Sequence, residues 1–169
     1  MLRRIAASDF AELAQLYGRS AVLHAPWMPG APLDTRAAFD RYLERFAGPA
    51  HVGFVICLAE GGGIVGRVNV NDIVRGSRQM ATVGYAGFAG LTGCGYMSEG
   101  LGLVVRYAFG ELGLHRLEAN IQPGNAASLR LAERVGFRRE GFSPRFQFIA
   151  GAWRDHERWA ITAEMVQGR

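Results

Sequence analysis

The chain has no lysine: all of its 19 basic residues are arginine, set against 15 carboxylates for a net charge of +4. Those arginines are scattered along the sequence and form no basic cluster, so a nucleic-acid-binding face is not expected and the charge reads as a solvated surface. Cysteine is scarce. Cys57 and Cys94 cannot build a disulfide framework. Cys57 falls in a strand pattern as a small core residue, and Cys94 has no histidine nearby to make it a nucleophile. No apolar run approaches the ~20 residues of a membrane span, which argues against a membrane partner. The opening MLRRIAASDF is polar by residue 8 and carries no signal-peptide h-region, so a cytoplasmic location is expected. Repeats, low-complexity tracts and linkers are also missing, so residues 1–169 read as a single domain, large enough for a substantial core.

The most informative stretch runs from Val83 to Phe137. An apolar strand, Val83 to Phe88, leads into Gly93 and Gly95, which open a helix near Met97. A second strand, His115 to Gln122, leads to Asn125, placed to cap another helix. Helix N-termini present unpaired N–H groups and the positive end of a dipole, so they bind phosphate without a basic side chain. Two such ends facing one cleft suit a long ligand carrying a pyrophosphate. On spacing alone the glycines serve equally well as a connector.

Elsewhere, Leu2 to Ile5 reads as a short strand, and Asp9 with Glu12 as the start of a helix ending near Ser20. Residues 23–33 hold three prolines and one glycine and read as an ordered loop. Asp34 or Thr35 caps a second helix through Phe46. Strands at Val52–Leu58, Ile64–Ile73 and Ala81–Phe88, joined by tight turns, predict an antiparallel meander. Gly136 ends the helix begun at Asn125, and a hairpin of Arg145–Ile149 and Trp153–Ile161 turns at Ala150-Gly151. The class is α+β, with a mixed, mostly antiparallel sheet.

The motifs Gly84-Tyr85, Gly93-x-Gly95-Tyr96-Met97-Ser98-Glu99 and His115-Arg116-Leu117-Glu118-Ala119-Asn120 share an order with Asn125-x-x-Ser128, Gly136-Phe137 and Trp153-Arg154-Asp155-His156. In this order and spacing the sequence resembles the GNAT superfamily of acetyl-CoA-dependent N-acetyltransferases, and within it the Rim-type ribosomal-protein alanine N-acetyltransferases. The match fills most of residues 80–160, while the N-terminal third matches mainly through Pro26-Trp27. The resemblance implies a splayed sheet of about seven strands flanked by about four helices. It implies acetyl-CoA as donor and no metal. Its backbone site would comprise Val83, Gly84, Tyr85, Ala86, Gly87 and Phe88, then Thr92, Gly93, Cys94, Gly95, Tyr96 and Met97.

By the same resemblance Asn125 holds the pantetheine or a water, and Ser128 stands near the sulfur as proton donor. Read from the residues alone, the pair is more simply an Asn N-cap with a serine at N3. The family's tyrosine acid, seven residues after this asparagine, is here Ala132, and a carboxylate of the late hairpin is here Gln147. Glu118 is then the candidate to orient a water that takes the amine proton, or else a simple partner for Arg116 or Arg154. Trp27, between Pro26 and Pro29, is a candidate wall for the acceptor or a local core plug. His156 reads as structural.

The expected reaction is acetyl transfer to a primary amine without an acyl-enzyme. The preferred acceptor is a protein N-terminus beginning with a small residue. An α-amine has an ordinary pKa of ~7.7–8 against ~10.4 for lysine, so a weak base suffices. Small amines such as polyamines or aminoglycosides are the rival acceptors, and an acidic groove would favour them. A non-catalytic acetyl-CoA sensor is a third reading, and a homodimer is allowed for. Dinucleotide binding is disfavoured: the third glycine of GxGxxG is Ser98, and the ~90 preceding residues read as an antiparallel meander rather than a parallel βαβ sheet.

Overall fold

One open mixed sheet carries the fold in the computed structural model, which describes residues 1–30 and 32–167. Ala31, inside the expected 23–33 loop, and residues 168–169, at the end of the expected 1–169 domain, lie outside the described residues. The strands are Leu2–Arg4 (β1), Val52–Cys57 (β2), Ile64–Val74 (β3), Met80–Gly87 (β4), Arg116–Ile121 (β5), Arg138–Ile149 (β6) and Ala152–Thr162 (β7). Their spatial order is β1-β2-β3-β4-β5-β7-β6. β2 to β4 form the expected antiparallel meander, β1 adds antiparallel to β2, β5 joins β4 in parallel, and β7 pairs antiparallel with both β5 and β6. The late hairpin is longer than its sequence pattern suggests, because β6 begins at Arg138, directly after a helix.

Among the described residues six α-helices form instead of about four: Phe10–Arg19 (α1), Ala21–His24 (α2), Arg36–Glu44 (α3), Tyr96–Gly110 (α4), Ala126–Val135 (α5) and Ala163–Gln167 (α6). The two additional ones are single short turns of helix. α2 enters the segment read as loop, since Leu23 and His24 precede its first proline. Thr35 proves to be the cap of α3, its Oγ1 accepting from Ala38 N at 3.3 Å.

The helix expected from Asp9 and Glu12 starts and stops where the pattern puts it, with Asp9 at its N-cap position and Ser20 at its C-cap, but without a side-chain capping bond. The Asp9 carboxylate takes two bonds from Arg3, at 2.8 and 2.7 Å, and one from Ala6 N at 2.8 Å. Burial works to raise the Asp9 pKa, but Arg3 and the Ala6 N–H outweigh it and hold the group below its ordinary value. Glu12 instead accepts from Ile64 N at the start of β3.

The alternating faces of the sheet feed two cores. On one side Leu13, Leu16, Tyr17, Phe39 and Tyr42 of α1 and α3 pack on Val55, Ile64 and Phe88. On the other, Leu101, Val104, Val105 and Ala108 of α4, with Ala132 of α5, pack on Phe54, Ile56, Val68, Leu117 and Ile161. Each such aliphatic or aromatic side chain contributes about 1.5–3 kcal/mol on burial. Close approach of α4 to β2 depends on Gly100, where a Cβ would lie 2.2 Å from Ile56 Cδ1. This packing fixes the N-terminus of α4 against the end of β4.

Candidate active site

β4 and β5 run side by side for only three residue pairs, Met80↔Arg116, Ala81↔Leu117 and Thr82↔Glu118. Beyond Thr82 the strands part, while β4 stays fully paired to β3 as far as Gly87. The splay that the resemblance implies is therefore present, and from Val83 onward β4 has no partner strand on that side among the described residues. Two cavities meet at the opening, and Trp27, Met28, Tyr85, Asn125 and Ser128 line both of them.

The first cavity, of about 690 Å³, lies between the N-termini of α4 and α5. Tyr85, Ala86, Gly87, Thr92, Gly93, Gly95, Tyr96, Met97, Asn125 and Ser128 all line it, so ten of the residues expected to hold the coenzyme come together here. Gly93 (φ 82°) and Gly95 (φ 85°) take left-handed conformations that glycine adopts without strain. Among the described residues, none of the backbone N–H groups from Thr92 to Met97 donates a hydrogen bond to the protein. That row of free donors at the positive end of a helix is what a diphosphate requires. Arg130 and Arg134, one turn apart on α5, add positive charge to the same wall. The residues present thus fit acetyl-CoA, whose thioester supplies the acyl group and the leaving thiol.

At the inner end of this cavity Asn125 Oδ1 accepts from Ser128 N at 3.1 Å, the N-cap that the spacing suggests. Ser128 Oγ lies 2.8 Å from the Tyr85 hydroxyl. Burial raises the Tyr85 pKa, the Ser128 bond offsets part of this, and the phenol ends at about 12. His24 donates from Nε2 to Gly87 O at 2.8 Å, tying α2 to the end of β4. Its Nδ1 is buried without a partner among the described residues. Burial lowers the His24 pKa, the Gly87 carbonyl counters this in part, and the charge on Arg67 lowers it further.

The second cavity, of about 720 Å³, lies across the splay, toward α3 and β7. Its charged lining is Arg41, Arg45, Arg67 and Asp72, with His156 at the far wall. Arg67 is 8% exposed and His156 2%. His156 Nδ1 lies 3.0 Å from Arg154 O, so Nδ1 is the donor and Nε2 the acceptor nitrogen. The loop that forms one rim is docked by Gln122 Nε2, which donates to Pro26 O at 3.0 Å.

Several expected residues fall elsewhere. Val83 and Gly84 line the second cavity rather than the first. The Phe88 ring is fully buried in the core against Tyr17, with centroids 5.4 Å apart, and lines neither cavity. Cys94 is exposed on the glycine loop and also lines neither. Glu118 lines neither cavity and accepts from Arg116 Nε at 2.8 Å, the partner role weighed for it from the sequence. Arg116 also holds Glu140. Trp27 stands at the junction of both cavities, packed over Gly124.

Sequence reasoning passed over Arg67, Asn69 and Asn71, although a polar residue at every second position of an otherwise apolar strand was a legible signal. For His24 no local signal existed, because its role depends on contact with a strand 63 positions away.

A mixed sheet parted beside two phosphate-receptive helix ends defines an acyl-CoA-dependent acyltransferase. The chain belongs to the acetyltransferase (GNAT) domain family, which it matches over residues 1–138, and it is an N-acetyltransferase of that family using acetyl-CoA. It is 39% identical over 126 residues to the "Probable N-acetyltransferase YjcK" of Bacillus subtilis, covering 75% of this chain and 70% of that protein. Over 99 residues it is 37% identical to the "[Ribosomal protein uS5]-alanine N-acetyltransferase" of Escherichia coli, covering 59% of this chain and 51% of the relative, so about half of that protein's length is spanned. Mycobacterium smegmatis RimJ in complex with CoA-disulfide superposes with a TM-score of 0.88 at 30% identity, covering 96% of this chain and 81% of that one. The fold is shared more widely: a spermidine N-acetyltransferase from Vibrio cholerae, with CoA and spermine, gives a TM-score of 0.84 at 21% identity, covering 99% and 97% of the two chains.

Proposed function

We propose that the protein transfers an acetyl group from acetyl-CoA to the N-terminal α-amine of a protein, in the manner of the ribosomal-protein alanine N-acetyltransferases. The observation that carries this reading is the charge of the acceptor cavity. Three arginines and one aspartate line it, and a polycation such as spermidine meets repulsion there rather than attraction. A peptide N-terminus carries one charge on an amine that loses its proton at a cost of under ~1.5 kcal/mol near neutrality. Newly made ribosomal proteins present such ends in the cytoplasm, where we place the reaction.

In this reading the amine nitrogen attacks the thioester carbonyl carbon, the C–N bond forms and the C–S bond breaks. The parted edge of β4 offers main-chain N–H groups to the carbonyl oxygen as negative charge develops. His156 Nε2 accepts the proton lost by the amine, a role Glu118 cannot fill from its pairing with Arg116. Ser128 Oγ delivers a proton to the departing thiolate, backed by the Tyr85 hydroxyl. Tyr85 thereby supplies from β4 the phenol that Ala132 does not supply from α5.

A thiol-release assay with acetyl-CoA against Ala- and Ser-starting peptides, run beside a small-amine panel, tests the reading. Peptide turnover is expected. Turnover of spermidine-like amines alone refutes it, and coenzyme binding without turnover of any amine leaves a sensor.

A further inference from the structure

Arg67 is the one buried arginine among the described residues. Its Nε donates to the Tyr17 hydroxyl and its Nη1 to the Tyr42 hydroxyl at 3.3 Å. The guanidinium carbon also lies over both rings, 5.8 Å and 5.3 Å from their centroids. No carboxylate among the described residues pairs with it. Nor does the Tyr17 phenol neutralise it: burial raises its pKa, so that hydroxyl stays protonated at neutral pH. A buried cation without a counter-charge is costly, and proteins keep one where a ligand supplies the missing anion.

Arg67 lines the acceptor cavity. With Nε and Nη1 occupied by phenols, Nη2 has no acceptor among the described residues. Beside it on β3, Asn69 is 4% exposed and takes the Tyr42 hydroxyl on Oδ1 at 2.6 Å, which leaves its amide NH2 as a further donor. Tyr17 and Tyr42 are themselves core side chains of α1 and α3, so the donors are set in place before any substrate arrives.

We infer that Arg67, with Asn69, anchors a carboxylate carried by the acceptor, so that the preferred amines are acidic ones. The inference deepens the proposed acetyl transfer and rests on it. Planar guanidinium and carboxylate groups match in shape as well as charge, and a site built to bind a group rejects the isostere that lacks it. The carboxylate comes either from an Asp or Glu side chain close behind a protein N-terminus or from a free amino acid.

The test compares Ala-Asp- and Ala-Asn-starting peptides, Ala-Glu and Ala-Gln likewise, and free amino acids beside their amides. Wild type should favour the carboxylate member by about tenfold or more in kcat/KM. In R67Q that ratio should fall to near one, and in R67K it should survive in part. Calorimetric uptake of CoA at the other cavity reports whether each variant is folded. If R67Q does not fold, the wild-type ratios and R67K decide. A preference among peptides locates the carboxylate on a protein. If only free amino acids turn over and the acid beats its amide, the anchor stands while the N-terminal reading fails. If nothing turns over, calorimetry with the acetylated Ala-Asp peptide against its Asn counterpart decides. Equal values for acid and amide in wild type, or an undiminished preference in R67Q, overturn the inference.

Discussion

Tyr85 Oη lies 2.8 Å from Ser128 Oγ, a bond that spans from β4 to α5 at the place where the sheet opens. It couples the strand expected to receive the coenzyme to the helix expected to protonate it. Because burial holds the phenol up at about 12, Tyr85 remains a donor throughout the neutral range.

Ser128→Ala should therefore lower kcat by roughly a hundredfold, the usual scale of a lost general acid. Tyr85→Phe should lower it less, and the double variant should fall short of the product of the two, because the hydroxyls act as one unit. Stopped-flow thiol release at saturating acetyl-CoA measures all three. Full additivity would separate the two residues.

His156→Gln tests the proton acceptor. The glutamine keeps a polar side chain in the buried site but cannot take up a proton, and kcat/KM for a peptide should drop by about 10²-fold or more. The deficit should shrink above pH ~8, where the α-amine is already unprotonated. A purely structural histidine would give a loss that pH does not repair.

Gly95→Ala addresses the diphosphate cradle. At φ 85° any side chain is strained, by about 1–2 kcal/mol, and the loop shifts to relieve it. CoA affinity by calorimetry should weaken about tenfold. Gly90→Ala is the control: φ there is 80°, and Gly90 lines neither cavity. It should lower Tm without altering CoA affinity.

His24 sets a pH dependence of stability. Its folded pKa is depressed below the ordinary ~6.5, chiefly by burial, so the unfolded chain binds the extra proton first. The stability it contributes is present above pH ~6.5 and is lost as pH falls through the folded value. Denaturant unfolding of wild type should weaken over that window, and His24→Gln, which keeps a donor for Gly87 O, should flatten the slope.

Much of this was legible in the sequence because it is local. Gly93, Gly95 and the Gly136 stop follow from left-handed backbone that glycine tolerates, the Asn125 cap from its side-chain bond to Ser128 N, and each stands where its spacing placed it. The meander followed from period-two strands and tight turns. What escaped was set by contacts distant in sequence. Asp9 and Glu12 do mark the start of α1, but Arg3 and the Ile64 N–H take the carboxylates that a capping box would use. Glu118 alternates onto the expected face, yet Arg116 captures it. Arg67 gave a period-two signal that becomes meaningful only once α1 and α3 close over it.

The three-pair junction between β4 and β5 carries one more implication. An unpaired strand edge on a protein's exterior invites stray chains to add to it and seeds aggregation. Here such an edge is turned inward, between Trp27 on one rim and Ser128 on the other. The fold keeps a sticky backbone for its own chemistry while hiding it from other polypeptides.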